Sequence, residues 1–588
     1  MVGKADSRRI GEIIMDYSKE IITKANEKDN EIISVLQSGR NFCVEAGAGA
    51  GKTYSLNKVI DWLRDSRETI YKRQGKHVIC ITFTNAAVNV ISSRLNNSEF
   101  IIPSTIHSFA WVAMKQFQYN IIKILLANKK IFQIENNNEI REVRYTLGIR
   151  KMLFDDILLL SHDDVLNLFS FMLDDEHYRN WFAKTYPLIL IDEYQDTKGS
   201  IIDKFIKYFI DRDIGPQFGF FGDSWQTIYQ MNKPCGEIVH DKIFRINKEI
   251  NFRSSRQVVS VLNKIRPDLP QVPAKIETIG KTCVILCDDF TGLRQTEKNF
   301  KDELPVEEFK HRIQIVEDVI RNSALSKNES HKTLMLTNKL LAVYQNYDEL
   351  LKILGTERFR DETDPVYQFF KLKVEPIRHA LEKNDVCALM EVLGSNFPPI
   401  NNIGDKQRWI ALRNKLSDAE HRTAFEVIGY FMDMNDVIPI PGEVQKRFSL
   451  YQLYKCEQGD NESEKIKQYL SIKYIQFINA INYFEPTSMF STEHGSKGEE
   501  YDNVLFVISK GWSYYQFDKY LPNKDVNNKS YIRNRNLFYV SCSRAKKNLY
   551  LMITYPIDNV FYNYLDGVFG KENILSYNDF IERNIFES

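Results

Sequence analysis

Residues 46–53 read AGAGAGKT, in which three glycines alternate with alanines before a lysine and a threonine. The run NFCVEA that leads into this stretch is short, apolar and compatible with a strand. The run YSLNKVIDWLRD that follows places Leu56, Val59 and Leu63 on one helical face. Strand, glycine-rich turn, GKT and helix is the order that a phosphate-binding P-loop requires. The stretch therefore predicts a nucleotide site at the start of an α/β core.

The loop residues have distinct predicted tasks. Glycines let successive backbone amides turn toward phosphate oxygens, and the next helix begins there with its positive dipole end. The amine of Lys52 is suited to the outer phosphates, and the hydroxyl of Thr53 is suited to Mg²⁺. We expect the ATP-binding loop to comprise Ala46, Gly47, Ala48, Gly49, Ala50, Gly51, Lys52 and Thr53. The alternative, a chance GKT at a glycine-rich helix start, is disfavoured by the motif described next.

The segment PLILIDEYQDT at 187–197 supplies a pair of carboxylates. Its apolar residues predict a buried parallel strand that ends in Asp192 and Glu193, at the edge where open α/β sheets bind ligands. Asp192 is suited to the magnesium shell, and Glu193 is suited to polarising a water for attack on the γ-phosphate. Two acids on a loop usually only face solvent, but two acids that end a buried strand after a P-loop indicate ATP hydrolysis.

Composition limits the remaining possibilities. The chain has 588 residues, of which 43% are hydrophobic and 27% charged, an ordinary balance for a globular protein. The sequence has no apolar run of the roughly 18 residues that a membrane span needs, and no signal-peptide core at its start. We therefore expect a cytoplasmic protein without a membrane partner. Because 78 basic residues balance 78 acidic ones, any DNA site must be a local basic groove.

The eight cysteines predict no framework of bridges. Only Cys283 and Cys287 lie close together, on an apolar run typical of a strand. One CxxxC without a second pair favours buried, reduced thiols over a metal site or a disulfide framework.

Further motifs follow in a fixed order and together resemble one family. They are HVICITFTNAAVNVISSRL (77–95), STIHSFA (104–110), LILIDEYQDT (188–197), FFGDSWQTIYQ (220–230), INFRSS (250–255), STEHGSKGEEYDNVLFVI (491–508) and NLFYVSCSRAKKNLYL (536–551). With the P-loop, this series is similar to that of superfamily 1 DNA helicases of the UvrD/Rep/PcrA type, from about residue 40 to 555. Each motif alone is weak support, whereas the complete ordered set is specific.

The resemblance assigns further residues to ATP. It implies that Gln226 senses the γ-phosphate and that Arg253 and Arg544 point into the nucleotide cleft, where planar guanidinium groups suit phosphoryl charge. It also implies that Phe252 stacks on adenine and that Glu500 contacts the ribose. The implied catalytic set is Lys52, Asp192, Glu193, Gln226, Arg253 and Arg544. Taken alone, either arginine would more often be a surface salt-bridge residue.

The resemblance also implies a path for single-stranded DNA. Aromatic rings there would stack on bases, and short polar groups and histidines would meet phosphates. The implied contact residues are Phe83, Thr84, Asn85, Thr105, His107, Tyr229 and His494. Taken alone, Phe83 or His107 would more often be a core residue.

The expected architecture is α/β, with two RecA-like P-loop NTPase cores whose parallel sheets are flanked by helices. The first core would comprise 1–112 and 183–248, interrupted by a helical insertion at 113–182. The second would comprise 249–343 and 484–588, interrupted by a helical insertion at 344–483. In both insertions the apolar residues recur at helical spacing.

Several positions depart from the family pattern. The expected adenine-contacting glutamine is not evident in KDNEIISVL, so the nucleotide base stays open. Trp225 replaces an acidic residue, Met231 replaces a second stacking aromatic, and Ala86 replaces a lysine. These departures predict altered DNA handling with an intact ATPase.

The leading hypothesis is an ATP- and Mg²⁺-dependent helicase or translocase that moves 3′→5′ on single-stranded or partly duplex DNA, in antiphage defence or in DNA repair. In size and divergence the chain resembles helicase subunits of Gabija-type antiphage systems, which implies a hetero-oligomer with an OLD-type nuclease. The alternative is a DNA- or nucleotide-sensing ATPase that regulates a partner nuclease with little processive unwinding.

Overall fold

The computed structural model describes residues 19–585 except 83, 96–99, 135–139, 147–151, 155, 229–232, 276–278, 324–328, 356–358, 360–361, 395–402, 455–460, 486–487, 493–496 and 512. The strands, numbered in chain order, are β1 (Asn41–Ala46), β2 (Val78–Thr82), β3 (Ile101–Thr105), β4 (Glu142–Tyr145), β5 (Met152–Phe154), β6 (Ile157–Leu160), β7 (Leu188–Asp192), β8 (Gln217–Gly222), β9 (Ile243–Lys248), β10 (Ile250–Asn251), β11 (Val272–Pro273), β12 (Thr282–Leu286), β13 (His331–Met335), β14 (Phe490–Thr492), β15 (Tyr501–Ile508), β16 (Ala545–Ile553) and β17 (Ile574–Ser576).

Helices connect these strands and build most of both insertions. The α-helices span Lys19–Gln37, Lys52–Arg73, Asn85–Arg94, Ile106–Met114, Gln118–Ala127, Lys129–Phe132, His162–Met172, Glu176–Thr185, Gly199–Phe205, Arg256–Ile265, Val306–Asn322, Asn338–Tyr344, Asp348–Leu354, Pro365–Phe369, Glu375–Lys383, Val386–Leu393, Ile403–Leu416, Ala424–Met432, Gly442–Tyr454, Asn461–Leu470, Tyr474–Phe484, Phe517–Tyr520, Lys529–Cys542, Asn559–Phe569 and Tyr577–Ile585. Short 3₁₀ or π segments span Tyr194–Asp196, Ile206–Ile210, Ser224–Gln226, Phe370–Val374, Ala419–His421 and Lys571–Asn573.

The first sheet contains the P-loop strand. Its order is β3-β2-β7-β8-β1-β9, and all neighbours pair in parallel. Strands β2 and β7 are buried along their whole length, which explains their continuous apolar sequence. Because the strands are parallel, the segments that follow β1, β2, β3, β7 and β8 emerge at one edge of the sheet. That edge therefore collects the P-loop and most of the motifs.

A second sheet repeats this architecture. Its order is β14-β13-β15-β16-β12-β17, again parallel throughout. Helix Arg256–Ile265 packs against β12, β16 and helix Asn559–Phe569. The short pair β10-β11 lies between the two large sheets in the chain. The two parallel sheets with flanking helices confirm the prediction of two RecA-like α/β cores; the domain bounds themselves stay a prediction.

The first insertion is mainly helical but also contains a small sheet. In the order β4-β6-β5, β4 pairs in parallel and β5 antiparallel with β6. In β6, Leu158 and Leu160 are buried and alternate with half-buried residues. This two-residue period is that of a strand, so helical spacing was the wrong interpretation for this segment. In the second insertion the described elements are helices, with Phe370 packed edge-on against Tyr474 and Phe477.

Seven of the eight cysteines lie among the described residues. Among the described residues, Cys43, Cys80, Cys235, Cys283, Cys287, Cys387 and Cys542 are unbridged. Both members of the CxxxC pair are buried, whereas Cys387 is exposed. Within the same residues, no helix has the length and apolar character needed to cross a bilayer.

Candidate ATP site and nucleic-acid interface

The glycine-rich loop joins β1 to helix Lys52–Arg73. Gly49 has φ of 77° and Gly51 has φ of 75°, both in the left-handed region. Glycine adopts this conformation without the steric cost that a Cβ brings. The amide of Ala50 donates to the carbonyl of Gly47 at 3.0 Å, which closes the turn. The alternation of glycine with alanine thus has a local reason, because the glycines at 49 and 51 take the left-handed positions.

Lys52 and the acid pair meet at the end of β7. The Lys52 Nζ lies 2.9 Å from both carboxylate oxygens of Glu193. Burial alone would raise the pKa of Glu193, but Lys52 and Lys497 hold it below its ordinary value. Burial and the adjacent Glu193 raise the pKa of Asp192. Of the two carboxylates, Glu193 is therefore the one whose ionised form its surroundings favour.

The two predicted metal ligands differ in exposure. Thr53 is exposed in the first turn of its helix, and Asp192 is buried, with its Oδ1 accepting from the Glu193 amide at 3.0 Å. A hydroxyl and a carboxylate are hard oxygen donors, which fit Mg²⁺. Within the described residues, no group of three or more His, Cys, Asp and Glu side chains could hold a metal ion. Mg²⁺ commonly binds proteins through one or two side-chain oxygens and completes its shell with substrate phosphates and water, so Thr53 and Asp192 are a suitable pair of ligands.

Gln226 lies in the 3₁₀ turn that follows β8. Its side-chain Nε2 donates to Asp223 Oδ2 at 2.8 Å, and its backbone carbonyl oxygen accepts from Lys497 Nζ at 2.7 Å. Lys497 also forms a short ion pair with Asp196. Lys497 lies in the motif STEHGSKGEEYDNVLFVI (491–508) of the predicted second core. Its contacts therefore connect the second core to the first core beside the predicted phosphate sensor.

The segment 251–253 packs directly on the P-loop. The Phe252 amide donates to the Gly49 carbonyl at 2.9 Å, and an ideal Cβ on Gly49 would lie 2.7 Å from Arg253 Cβ. Arg253 Nε donates to Glu500 at 2.6 Å, and its Nη1 donates to the Ser543 carbonyl at 3.1 Å. Arg253, Phe252 and Glu500 are thus gathered at the loop, as the resemblance implies.

Arg544 is held by its own segment. Its side chain is buried and donates to the carbonyls of Val540 and Glu499 and to Ser543 Oγ. Burial, and then the charge of Arg253, lower the pKa of its guanidinium. Tyr539 of the same helical segment reaches the loop instead, because its hydroxyl accepts from the Ala48 amide at 3.0 Å.

Sequence reasoning missed several residues that contact the P-loop. Asn251 Nδ2 donates to the Ala48 carbonyl at 3.0 Å, and Gln271 Nε2 donates to the same oxygen at 3.2 Å. Asn251 and Tyr539 lie inside quoted motifs, which could have drawn attention to them. Gln271 lies outside every motif, so no sequence signal pointed to it.

The described members of the implied DNA set lie at one edge of the first sheet. Thr84 and Asn85 are exposed at the start of the helix after β2, where Thr84 accepts from the Ala87 amide. Thr105 caps the next helix by accepting from the Ser108 amide, and His107 lies in that helix's first turn. Phe83, Tyr229 and His494 lie outside the described residues, as does Met231.

A cavity of about 60 Å³ joins His107 to the acids of the ATP site. Asp192, Glu193, Asp196 and His107 all line it. His107 stacks on His162 of the insertion, with ring centroids 3.4 Å apart. Burial, followed by His162 and Lys198, lowers the pKa of His107 to about 3, so its ring is neutral at ordinary pH. The predicted DNA residue and the predicted catalytic carboxylates therefore line one cavity.

Fold and site together define a P-loop ATPase with two RecA-like cores. The AAA domain family matches residues 29–232, which hold the P-loop, both acids and Gln226. Gabija protein GajB of Bacillus cereus (strain HuB5-5) is 24% identical, over 95% of this chain and 99% of that protein. The probable DNA helicase II homolog of Mycoplasma genitalium is 22% identical, over 85% of this chain and 70% of that protein.

ATP-dependent DNA helicase Rep of Buchnera aphidicola is 23% identical, over 86% of this chain and 90% of that protein. In fold and in the order of its motifs the chain is similar to UvrD/Rep-type superfamily 1 helicases, and it is similar to GajB along nearly its whole length.

Proposed function

We propose that the protein is an ATP-dependent helicase or translocase that moves 3′→5′ on single-stranded DNA. The observation that carries the proposal is the contact of both cores with one P-loop. Phe252 and Tyr539 bind loop backbone groups from the second half of the chain, while Lys52 and Glu193 meet on the first core. The contacts available to a nucleotide on this loop would therefore change when the distance between the cores changes.

The proposed chemistry divides among the residues of the site. Glu193 takes the proton of the attacking water, and Lys52 binds the outer phosphates. Thr53 and Asp192 would hold Mg²⁺, which neutralises phosphate charge when bound. Gln226 and Arg253 contact the γ-phosphoryl group as charge develops on it, and Arg544 supports the same cleft.

The proposed DNA path follows the carboxyl edge of the first sheet. Thr84 and Asn85 are exposed there, and His107 lies beside the acids across a shared cavity. Opening and closing of the cores would then shift this edge along one strand. Single-stranded and partly duplex DNA are the proposed substrates.

ATP hydrolysis with and without single-stranded DNA tests the proposal. Lys52→Ala and Glu193→Gln should each lower kcat by about 100-fold or more, as expected when a catalytic group is removed. Lys72→Ala is the matched control, because Lys72 is exposed on the same helix as Lys52 and pairs with nearby Glu68. Undiminished hydrolysis in both site variants would rule out this ATP site.

Strand displacement tests direction. A duplex with a 3′ single-stranded tail should be unwound in the presence of ATP, and one with a 5′ tail should not. Equal unwinding of both would contradict the proposed polarity.

We further propose a role in antiphage defence beside a partner nuclease, on the basis of the similarity to GajB. Co-expression with an OLD-type nuclease as the partner should protect cells from phage, and Glu193→Gln should abolish protection. Protection that survives this substitution would contradict a role for ATP hydrolysis.

A regulatory ATPase is the second candidate, and Trp225 supports it. This residue replaces an acid of the family pattern, and the Arg535 guanidinium lies 3.6 Å from its ring centroid. A partner-dependent change in ATP turnover without strand displacement would favour this candidate. Processive unwinding by the isolated protein would exclude it.

A further inference from the structure

Arg266 lies between the two cores, outside every motif. It directly follows helix Arg256–Ile265, which packs on the second sheet. Its side chain is only 1% exposed, which is rare for arginine unless the charge is paired. Its charged partners in the first core are Glu45 and Asp223.

The ion pairs of Arg266 form a planar fork. Nη2 donates to Glu45 Oε1 at 2.7 Å, and Nη1 donates to Asp223 Oδ1 in a short contact. Both carboxylates are fully buried. Burial alone would lower the pKa of Arg266, but Asp223, Tyr539 and Glu45 raise it. One cation of the second core thus pairs with two buried carboxylates of the first.

Those two carboxylates hold neighbouring parts of the predicted ATP site by hydrogen bonds. Asp223 accepts from Gln226 Nε2 at 2.8 Å through its other oxygen, so Arg266 and Gln226 share one carboxylate. Glu45 is the residue of β1 immediately before Ala46, and it also accepts from the Ser224 amide at 2.9 Å. Through Glu45 and Asp223, Arg266 is therefore connected to two parts of the site, which are the start of the P-loop and the turn that carries Gln226.

Tyr539 completes the connection from the second core. Its hydroxyl accepts from the Ala48 amide and lies 3.4 Å from Asp223 Oδ2. The Arg266 guanidinium lies 5.5 Å from the Tyr539 ring centroid. A displacement of the second core would move Arg266 and Tyr539 together, and both would pull on Asp223.

We propose that Arg266 is a positioning residue that couples the second core to ATP hydrolysis by holding Asp223, and through it the side chain of Gln226. This rests on the proposed role of Gln226 at the γ-phosphate. A lysine at 266 would keep the charge but could not reproduce the two-pronged geometry of the guanidinium. A purely structural role would predict loss of stability without any link to Gln226.

A double-mutant cycle on kcat separates these roles. Arg266→Lys should lower kcat for ATP by about tenfold, with a change in KM below about threefold, because a transition-state contact is misplaced. In a Gln226→Ala background the same substitution should lower kcat by less than about twofold, since residues that act as a unit are non-additive. Asp223→Asn should likewise lower kcat less in the Gln226→Ala background than in the wild-type background. This variant replaces Arg266→Lys in the cycle if Arg266→Lys does not fold.

Arg312→Lys is the matched control. Arg312 is also a buried arginine with two carboxylate partners, Asp289 and Glu308, each at 2.5 Å, but all three lie in the second core. Its kcat should stay within about twofold of wild type. The inference is overturned if Arg266→Lys leaves kcat unchanged, or lowers it equally with and without Gln226. Failure of the proposed function would appear separately, as undiminished hydrolysis in Lys52→Ala.

Discussion

At the scale of single residues, Gly49 is where the second half of the chain approaches the P-loop most closely. Its φ of 77° is unfavourable for any residue with a Cβ. An ideal Cβ would also lie 2.7 Å from both Arg253 Cβ and Asn251 Oδ1. Position 49 therefore requires glycine for two reasons, which are the left-handed backbone of the turn and the close approach of segment 251–253.

Gly49→Ala should lower kcat/KM for ATP by about tenfold, because the new Cβ displaces the segment that carries Arg253. Gly75→Ala is the control, since Gly75 has φ of 61° but nothing within 4 Å of its ideal Cβ. Both variants should lose roughly 1 kcal/mol of stability through backbone strain. Equal ATPase activity in the two variants would show that the contact at Gly49 has no functional effect.

His107 should make the folded protein less stable in mild acid. Its pKa is about 3 in the folded protein and 6.5 in an unfolded chain, so the unfolded state binds the extra proton first. Stability is therefore lost as pH falls below 6.5, by roughly 1 kcal/mol at pH 5.5.

His107→Gln should remove this contribution, so its melting temperature should fall less than that of wild type between pH 7.5 and 5.5. His379→Gln, which changes a half-exposed histidine of the second insertion, should keep the wild-type slope. A His107→Gln protein with the wild-type slope would contradict the assignment.

At the scale of elements, the helix that carries His162 is fixed by a capping box. Ser161 accepts from the Asp164 amide, and Asp164 accepts from the Ser161 amide. Thr423 and Glu426 form the same motif at a helix of the second insertion. The two boxes are alike in chemistry, but only the first orients a ring that stacks on His107.

Ser161→Ala and Thr423→Ala should each destabilise their helix by about 1 kcal/mol, the usual cost of a lost N-cap. Only Ser161→Ala should weaken the stimulation of ATP hydrolysis by single-stranded DNA, because it loosens the stack beside the acids. Thermal unfolding and DNA-stimulated ATPase measure the two effects. Equal stimulation in both variants would disprove a link between the insertion and the ATP site.

Element prediction from sequence succeeded where the pattern was local. The strand before AGAGAGKT and the helix after it follow directly from apolar spacing. In the first insertion the same reasoning missed β4–β6, because a short apolar run such as ILLL has no period that separates strand from helix. There, the pairing of distant segments decides the structure.

At the scale of the whole molecule, the ordered motifs predicted two parallel sheets, and both are present. The motifs also predicted that Lys52, Glu193 and Arg253 lie in one site, although they are far apart in sequence. In the structure, Lys52 contacts Glu193, and Arg253 lies against Gly49 of the P-loop. Gln271 and Arg266 could not be predicted in the same way. Their roles depend on how the cores meet, and neither lies in a pattern with its own chemical signature.

If both cores build one ATP site, hydrolysis must depend on Arg253, which the second half of the chain places against the P-loop. Single-turnover ATP hydrolysis should be compared for wild type, Arg253→Ala and Arg256→Ala, the last changing an exposed arginine three residues away. Arg253→Ala should slow hydrolysis by about 100-fold while ATP still binds, and Arg256→Ala should stay near wild type. Hydrolysis at the wild-type rate by Arg253→Ala would contradict the shared site.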